Sequence, residues 1–189
     1  MTRPALPNRP FEMGSVVILS GPVGAGKSTV AKELVALTPA PVALIEGDVF
    51  WQFFQKSTPS QDMRQNFRIN MGSMLAASLP FARGGYQVVI DFSIPPWYLD
   101  TATKIICGKD HSLDYVFLFP SVEVCADRAA NRAEGAFKDY SEVRHLYEAF
   151  AVGEEKYRVS DDTSDAKTLA ELIRVRLDAG DFRVVSAAI

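Results

Sequence analysis

Four short apolar runs recur along the chain, at Ser15–Ser20, Pro41–Ile45, Tyr86–Ile90 and Leu113–Phe119. They are rich in β-branched residues and bounded by glycine, proline or charge, a pattern that predicts buried strands. Helical spacing fills the gaps between them. The first helix is predicted from Lys27 to about Leu37, closed by Thr38-Pro39. An aromatic stretch, Phe50 to Gln55, reads as a short helix. Ser60 is placed to cap a long helix with Asp62 in its first turn, running to about Ala82 and stopping at Arg83-Gly84-Gly85. Further helices are predicted from Pro95-Pro96 to about Gly108, from Ser121 to about Arg132, from Ser141 to Glu155 and from Asp165 to Ala179. Tyr157 to Ser160 reads as a short edge strand. Strands alternating with helices at these lengths predict an α/β/α three-layer fold around a mainly parallel sheet of roughly five strands. In such sheets ligands bind beyond the carboxyl ends of the strands, so chemistry is sought in the residues that follow each one.

Composition narrows the setting. The 189 residues suit one domain, read as 15–189, behind a flexible tail at 1–14 that carries Pro4, Pro7 and Pro10. With 20 Lys+Arg against 23 Asp+Glu the net charge is -3, so no global basic field drives binding to nucleic acid. Two cysteines, Cys107 and Cys125, make no disulfide framework, and with two histidines a Cys/His metal site is not expected. Both thiols read as buried or half-buried. The apolar runs are far too short to span a membrane, and Arg3 and Arg9 precede no apolar core of a secretory signal. A soluble cytoplasmic protein is expected.

The first strand leads into Gly21-Pro22-Val23-Gly24-Ala25-Gly26-Lys27-Ser28, which matches G-x-x-x-x-G-K-[ST] at every fixed position and lies between a strand and a helix. Glycines let the backbone curl its N–H groups onto phosphate oxygens, and the following helix adds its positive end. Lys27 supplies a cation for the outer phosphates, Ser28 a hydroxyl for Mg²⁺, and Thr29 is a neighbouring candidate. The loop predicts a phosphate-loop (P-loop) NTPase fold that binds a nucleoside triphosphate.

Carboxylates follow the next two strands. Glu46-Gly47-Asp48 puts two acids on one face of an extended segment. One can order water on Mg²⁺ and the other orient or deprotonate a substrate hydroxyl; a solvated Gly-Asp turn is the plain alternative. Asp91 ends an apolar strand, where the Mg²⁺ water shell or a capped turn would receive it. Arg64 and Arg68 share a helix face and read as contacts for an anionic or hydroxyl-rich substrate, or as a solvated face. Trp51, Phe53 and Phe54 read as pocket lining or as core. Arg128 and Arg132 border the Gly135 stretch, an arrangement suited to a lid near 129–140 that closes on a transferring phosphate, with Lys138 a weaker candidate. Ser160 to Ser164 reads as an adenine-contacting loop through Thr163, or as a helix-capping turn.

With these residues in place, the chain resembles the small-molecule P-loop kinases, among them gluconate kinase, shikimate kinase and chloramphenicol phosphotransferase. The likeness runs from about Ser15 to Ala179. It rests on GPVGAGKS, the spacing from Lys27 to Asp48, the Asp91 strand end, the lid arginines and the late Asp-Thr-Ser. In such kinases an acidic pair after the second strand serves magnesium and substrate; here its first member is Glu46. The resemblance implies Asp48 as base or substrate-orienting residue and Arg68 as a substrate contact. Asp91-Phe92-Ser93-Ile94 stands where shikimate kinases carry a glycine-rich motif, a departure from that pattern, and Ile45-Glu46-Gly47-Asp48 is closer to gluconate-kinase-like sequences, which implies a sugar acid as a candidate acceptor. The leading expectation is an ATP- and Mg²⁺-dependent kinase of a small hydroxylated metabolite, with Lys27, Asp48, Arg128 and Arg132 carrying the chemistry. The alternatives are a nucleotide-dependent switch without a small-molecule acceptor and a kinase of a nucleotide or nucleic-acid end. Metabolic, antibiotic-modifying and toxin roles share the same parts. The sequence assigns no oligomeric state.

Overall fold

The computed structural model describes residues 14–56, 62–107, 111–132 and 138–185. Its strands are β1 (Ser15–Ser20), β2 (Val42–Glu46), β3 (Gln87–Asp91), β4 (Ser112–Leu118) and β5 (Arg158–Val159). Its helices are α1 (Lys27–Leu37), α2 (Met63–Arg83), α3 (Leu99–Ile106), α4 (Val122–Ala130), α5 (Arg144–Ala151) and α6 (Ala166–Ala179). The five strands are parallel in the order β2-β3-β1-β4-β5. The expected α/β architecture is the one found.

Each strand alternates its side chains between two buried faces, which is why its sequence is continuously apolar. From β1, Val16 and Ile18 join Ile90, Tyr115 and Phe117 on the face covered by α2, α3 and α5. Val17 and Leu19 join Val89, Val116 and Leu118 on the face covered by α1, α4 and α6. All four β1 side chains are fully buried. At about 1.5–3 kcal/mol per buried aliphatic side chain, the central strand anchors both layers.

Several element boundaries differ from the sequence reading, each for a local reason. Asp62 is itself the cap of α2 and accepts from the Gln65 N–H at 2.8 Å; Ser60 lies outside the described residues. The short aromatic helix is a 3₁₀ segment, Gly47–Phe53, that starts directly from β2. The single helix expected over 141–155 is three pieces: a 3₁₀ turn at Tyr140–Glu142, α5, and a 3₁₀ turn at Glu155–Tyr157. α5 stops before Gly153, where a Cβ would fall within 2.7 Å of the Phe117 ring, so the chain must turn where the core crowds it. At the far end Arg183 makes an antiparallel bridge to Asp114 and a 3.0 Å ion pair with its carboxylate. The tail 1–13, Gly135 and the last four residues lie outside the described ones.

Strand register sets the site. Leu19, Asp91 and Glu46 stand side by side across β1, β3 and β2, so all three carboxyl ends are level. The chain leaves β1 into α1 on one face and leaves β3 toward α3 on the other. The loops after these two neighbouring strands therefore diverge and open a crevice.

Candidate active site

The phosphate loop is held from three sides. Gly24 takes φ 82°, and a Cβ there would overlap the Cys125 carbonyl oxygen, so the loop packs directly on α4. Ser93, two residues beyond β3, donates to the Gly21 carbonyl at 2.8 Å. The Tyr140 hydroxyl donates to the Val23 carbonyl at 2.8 Å. Cys125 is buried, its thiol pKa pushed up to about 11 by burial, which makes it an inert packing residue; Cys107 is half-buried.

Lys27 is 8% exposed and its ammonium donates to the Pro22 carbonyl at 2.9 Å. Burial pushes its pKa below the ordinary lysine value; the Asp91 carboxylate opposes this, and the Arg132 guanidinium adds to it. Burial pushes the Asp91 pKa up, the Ser28 hydroxyl and Lys27 draw it back down, and the Asp48 and Glu46 carboxylates raise it further. Three carboxylates gathered beside one hydroxyl form a site that favours a cation. Ser28, Glu46, Gly47, Asp48 and Asp91 line a pocket of about 190 Å³. Its hard oxygen donors fit Mg²⁺, which keeps several of its own waters. Among the described residues no three acidic, histidine or cysteine groups close into a direct ligand cage.

A larger cleft of about 960 Å³ joins this pocket. Lys27, Ser28, Asp91 and Arg132 line one part of it; Asp48, Arg64, Arg68 and Trp51 also line it. Seven of the sequence candidates, Lys27, Ser28, Asp48, Arg64, Arg68, Asp91 and Arg132, thus border a single cavity. Arg128 is outside its lining, but one guanidinium nitrogen lies 3.7 Å from where a Cβ on Gly26 would be, over the phosphate loop. Gly26, at φ 93°, keeps that approach open. Glu46 borders only the small pocket and pairs loosely with Lys32 at 3.9 Å. Thr29 is exposed at the start of α1 and Thr163 is exposed in the turn before α6. In that turn Asp161 accepts from the Thr163 and Ser164 N–H groups at 2.8 and 2.7 Å.

Of the aromatic trio, only Trp51 lines the cleft; Phe53 is 73% exposed, and Phe54 packs on Trp51 at 5.7 Å. Sequence reasoning missed Phe67, Phe92 and Trp97, which line the same cavity. A signal was present for Trp97, since it follows Pro95-Pro96 just past a strand's carboxyl end. Gly47 also carries a role that the turn reading missed. A Cβ there would come within 2.5 Å of the Phe92 ring, so glycine at this place lets Phe92 sit between the two acids' backbone and the core.

A family model described as an AAA domain matches residues 16–151. The chain belongs to the AAA domain family. Solved structures with the same fold include the tunicamycin resistance protein of Deinococcus radiodurans, with TM-score 0.67 and 18% identity over 87% of this chain and 95% of that one. The APS kinase of Mycobacterium tuberculosis, solved with AMPPNP and APS, has TM-score 0.67 and 18% identity over 88% and 98%. A gluconokinase from Sinorhizobium meliloti 1021 has TM-score 0.56 and 26% identity over 90% and 97%. No curated protein matches the chain. The resemblance to small-molecule P-loop kinases drawn from the sequence is borne out by this family and these neighbours, and the fold of this AAA-domain protein is P-loop kinase-like. No described helix is long and apolar enough to cross a membrane.

Proposed function

We propose that the chain is an ATP-dependent phosphotransferase that moves the γ-phosphoryl group of ATP to a hydroxyl of a small molecule. One observation carries this reading: Lys27, Ser28 and Asp91 border the same cavity as Asp48, Arg64 and Arg68, so a donor phosphate and an acceptor can meet there. The loop Gly21, Pro22, Val23, Gly24, Ala25, Gly26, Lys27, Ser28 and Thr29 holds the phosphates, and Thr163 is the adenine-side candidate. Ser28 and Asp91 would hold Mg²⁺, with Glu46 at its water shell, and the ion would supply charge neutralisation on the phosphate oxygens. Asp48 orients the acceptor hydroxyl and takes its proton as the acceptor oxygen forms its bond to the γ-phosphorus. The bond from that phosphorus to the ADP oxygen breaks, and ADP leaves with the bonding pair. Lys27, Arg128 and Arg132 stabilise the charge spread over the transferring group, with the segment near 129–140 as the lid. Arg64 and Arg68 bind an acceptor that carries negative charge.

A nucleotide-dependent switch uses the same loop, but it has no need of a cleft that brings Asp48, Arg64 and Arg68 beside that loop. The test is ADP release from ATP·Mg with and without a panel of sugar acids, sugars and antibiotics. Acceptor-dependent ADP supports the phosphotransferase. ADP formation that ignores every acceptor, together with nucleotide-dependent capture of a protein, would move the reading to the switch.

A further inference from the structure

The walls of the acceptor compartment carry a chemical signature of their own. Trp51 stacks on Phe67, with ring centroids 6.3 Å apart and planes 18° apart, and Phe67 packs on Phe92 at 5.5 Å. This makes a continuous aromatic shelf along one cavity. Trp97, 49% exposed, lines the same cavity, and the Arg68 guanidinium lies over its ring at 5.1 Å. Phe92 is buried and backs the shelf, while Trp51 and Phe67 are half-buried and Trp97 is exposed; the aromatic surface they leave in the cleft gains most when a flat apolar group covers it.

Among the described residues the cleft's polar lining is largely ionisable, with Asp48, Arg64, Arg68, Glu142 and His145 in it, and its uncharged hydroxyls are Ser28 and Ser93. Ser93 already donates to Gly21. Charge completes the picture. Arg64 and Arg68 form no ion pair among the described residues, so both remain available to an anion.

We infer that the acceptor is a planar ring compound that carries an alcohol and a negative charge, its ring against the Trp51–Phe67–Phe92 shelf and Trp97 and its anion on Arg64 and Arg68. This rests on the phosphotransferase reading, since it takes Asp48 as the place where the alcohol sits. Two sources share this chemistry: an aromatic hydroxy acid and a nucleoside monophosphate.

The chain has two tryptophans, Trp51 and Trp97, and both line the cleft, so its own emission reports occupancy. Wild-type protein saturated with a non-hydrolysable ATP analogue and Mg²⁺ is titrated with 3-phenyllactate, uridine monophosphate and gluconate, by calorimetry and by tryptophan emission. At least one ring probe is expected to bind about tenfold or more tightly than gluconate and to change the emission. Tighter binding of phenyllactate selects the hydroxy acid; tighter binding of uridine monophosphate selects the nucleotide. Trp97→Ala should weaken the ring probe about tenfold. Arg64→Ala should weaken it while leaving the uncharged 2-phenylethanol unaffected. Gluconate binding as tightly as the ring probes, or no ring probe binding at all, overturns the inference. Failure of ATP·Mg to raise Tm would instead strike the nucleotide reading, and the ring titration, repeated without nucleotide, still judges the shelf.

Discussion

The Tyr140 hydroxyl donates to the Val23 carbonyl at 2.8 Å and ties the 3₁₀ turn Tyr140–Glu142 to the phosphate loop. Tyr140 is half-buried, and burial pushes its pKa up, so it remains a donor across the working pH range. Tyr140→Phe removes this bond together with the hydroxyl's contact to the Cys125 thiol. A hydrogen bond of this kind is worth about 1 kcal/mol, so Tm should fall by about 2–4 °C. The further rise in Tm that ATP·Mg produces should also be smaller in the variant, because the loop loses part of its preorganisation. A thermal-shift series over ATP concentration measures both.

Gly47 is fixed by Phe92 rather than by a turn. Gly47→Ala drives a Cβ into the Phe92 ring and should cost about 1–3 kcal/mol as an overpacked site. Phe92→Leu in the same chain opens room for that methyl. Denaturant unfolding of the two single variants and the double variant should show a double-variant cost about 1 kcal/mol or more below the sum. Additive costs would show that the glycine serves something other than this contact.

These two positions also show what the sequence makes legible. The phosphate loop is local: eight consecutive residues carry the motif and the flanking strand and helix are adjacent, so nothing distant is needed to read it. Asp48 and Asp91 were readable as strand-end carboxylates because a parallel sheet directs all such ends to one edge. The Gly47–Phe92 contact was not readable, since it requires β2 and β3 to be neighbours. Trp97 had a local signal in Pro95-Pro96 just past a strand end, but its place in the cleft follows from strand order and from α2, whose Arg68 lies over its ring. Helix breaks fared worst. The stretch 141–155 has helical composition throughout, and its interruption comes from the Phe117 ring beneath Gly153, a contact 36 positions away in the chain.

Lys27 should be indispensable to the nucleotide's outer phosphates. Lys27→Met keeps much of the side-chain volume and removes the charge. Transfer should fall by about 10²–10³, the cost of losing one preorganised donor to transition-state charge. The ATP·Mg-dependent rise in Tm should shrink in parallel. Retention of both by the variant would remove Lys27 from the site.

Asp161 offers a pH test away from the cleft. Its carboxylate accepts from the Ser164 and Thr163 N–H groups and from the Ser164 hydroxyl, and these bonds hold its pKa down to about 2. A carboxylate held below its unfolded value of about 3.9 stabilises the fold above that value, and the contribution is lost as pH falls through the folded pKa. Asp161→Asn should therefore lower Tm by about 2–4 °C near neutral pH, as expected for loss of cap-type bonds. The gap to wild type should stay constant from pH 7 to about 5 and narrow below about pH 4. A gap that widens on acidification would contradict this assignment.

The central claim is tested most directly by following phosphorus. Wild-type protein and Asp48→Asn are incubated with ATP·Mg and the tightest acceptor from the titrations, and ³¹P NMR records where the γ-phosphorus goes. The account predicts a phosphomonoester signal that needs the acceptor, with ADP in equal amount, and a rate about 10²–10⁴ lower in Asp48→Asn. Inorganic phosphate as the sole product, or an equal rate in the variant, would contradict it.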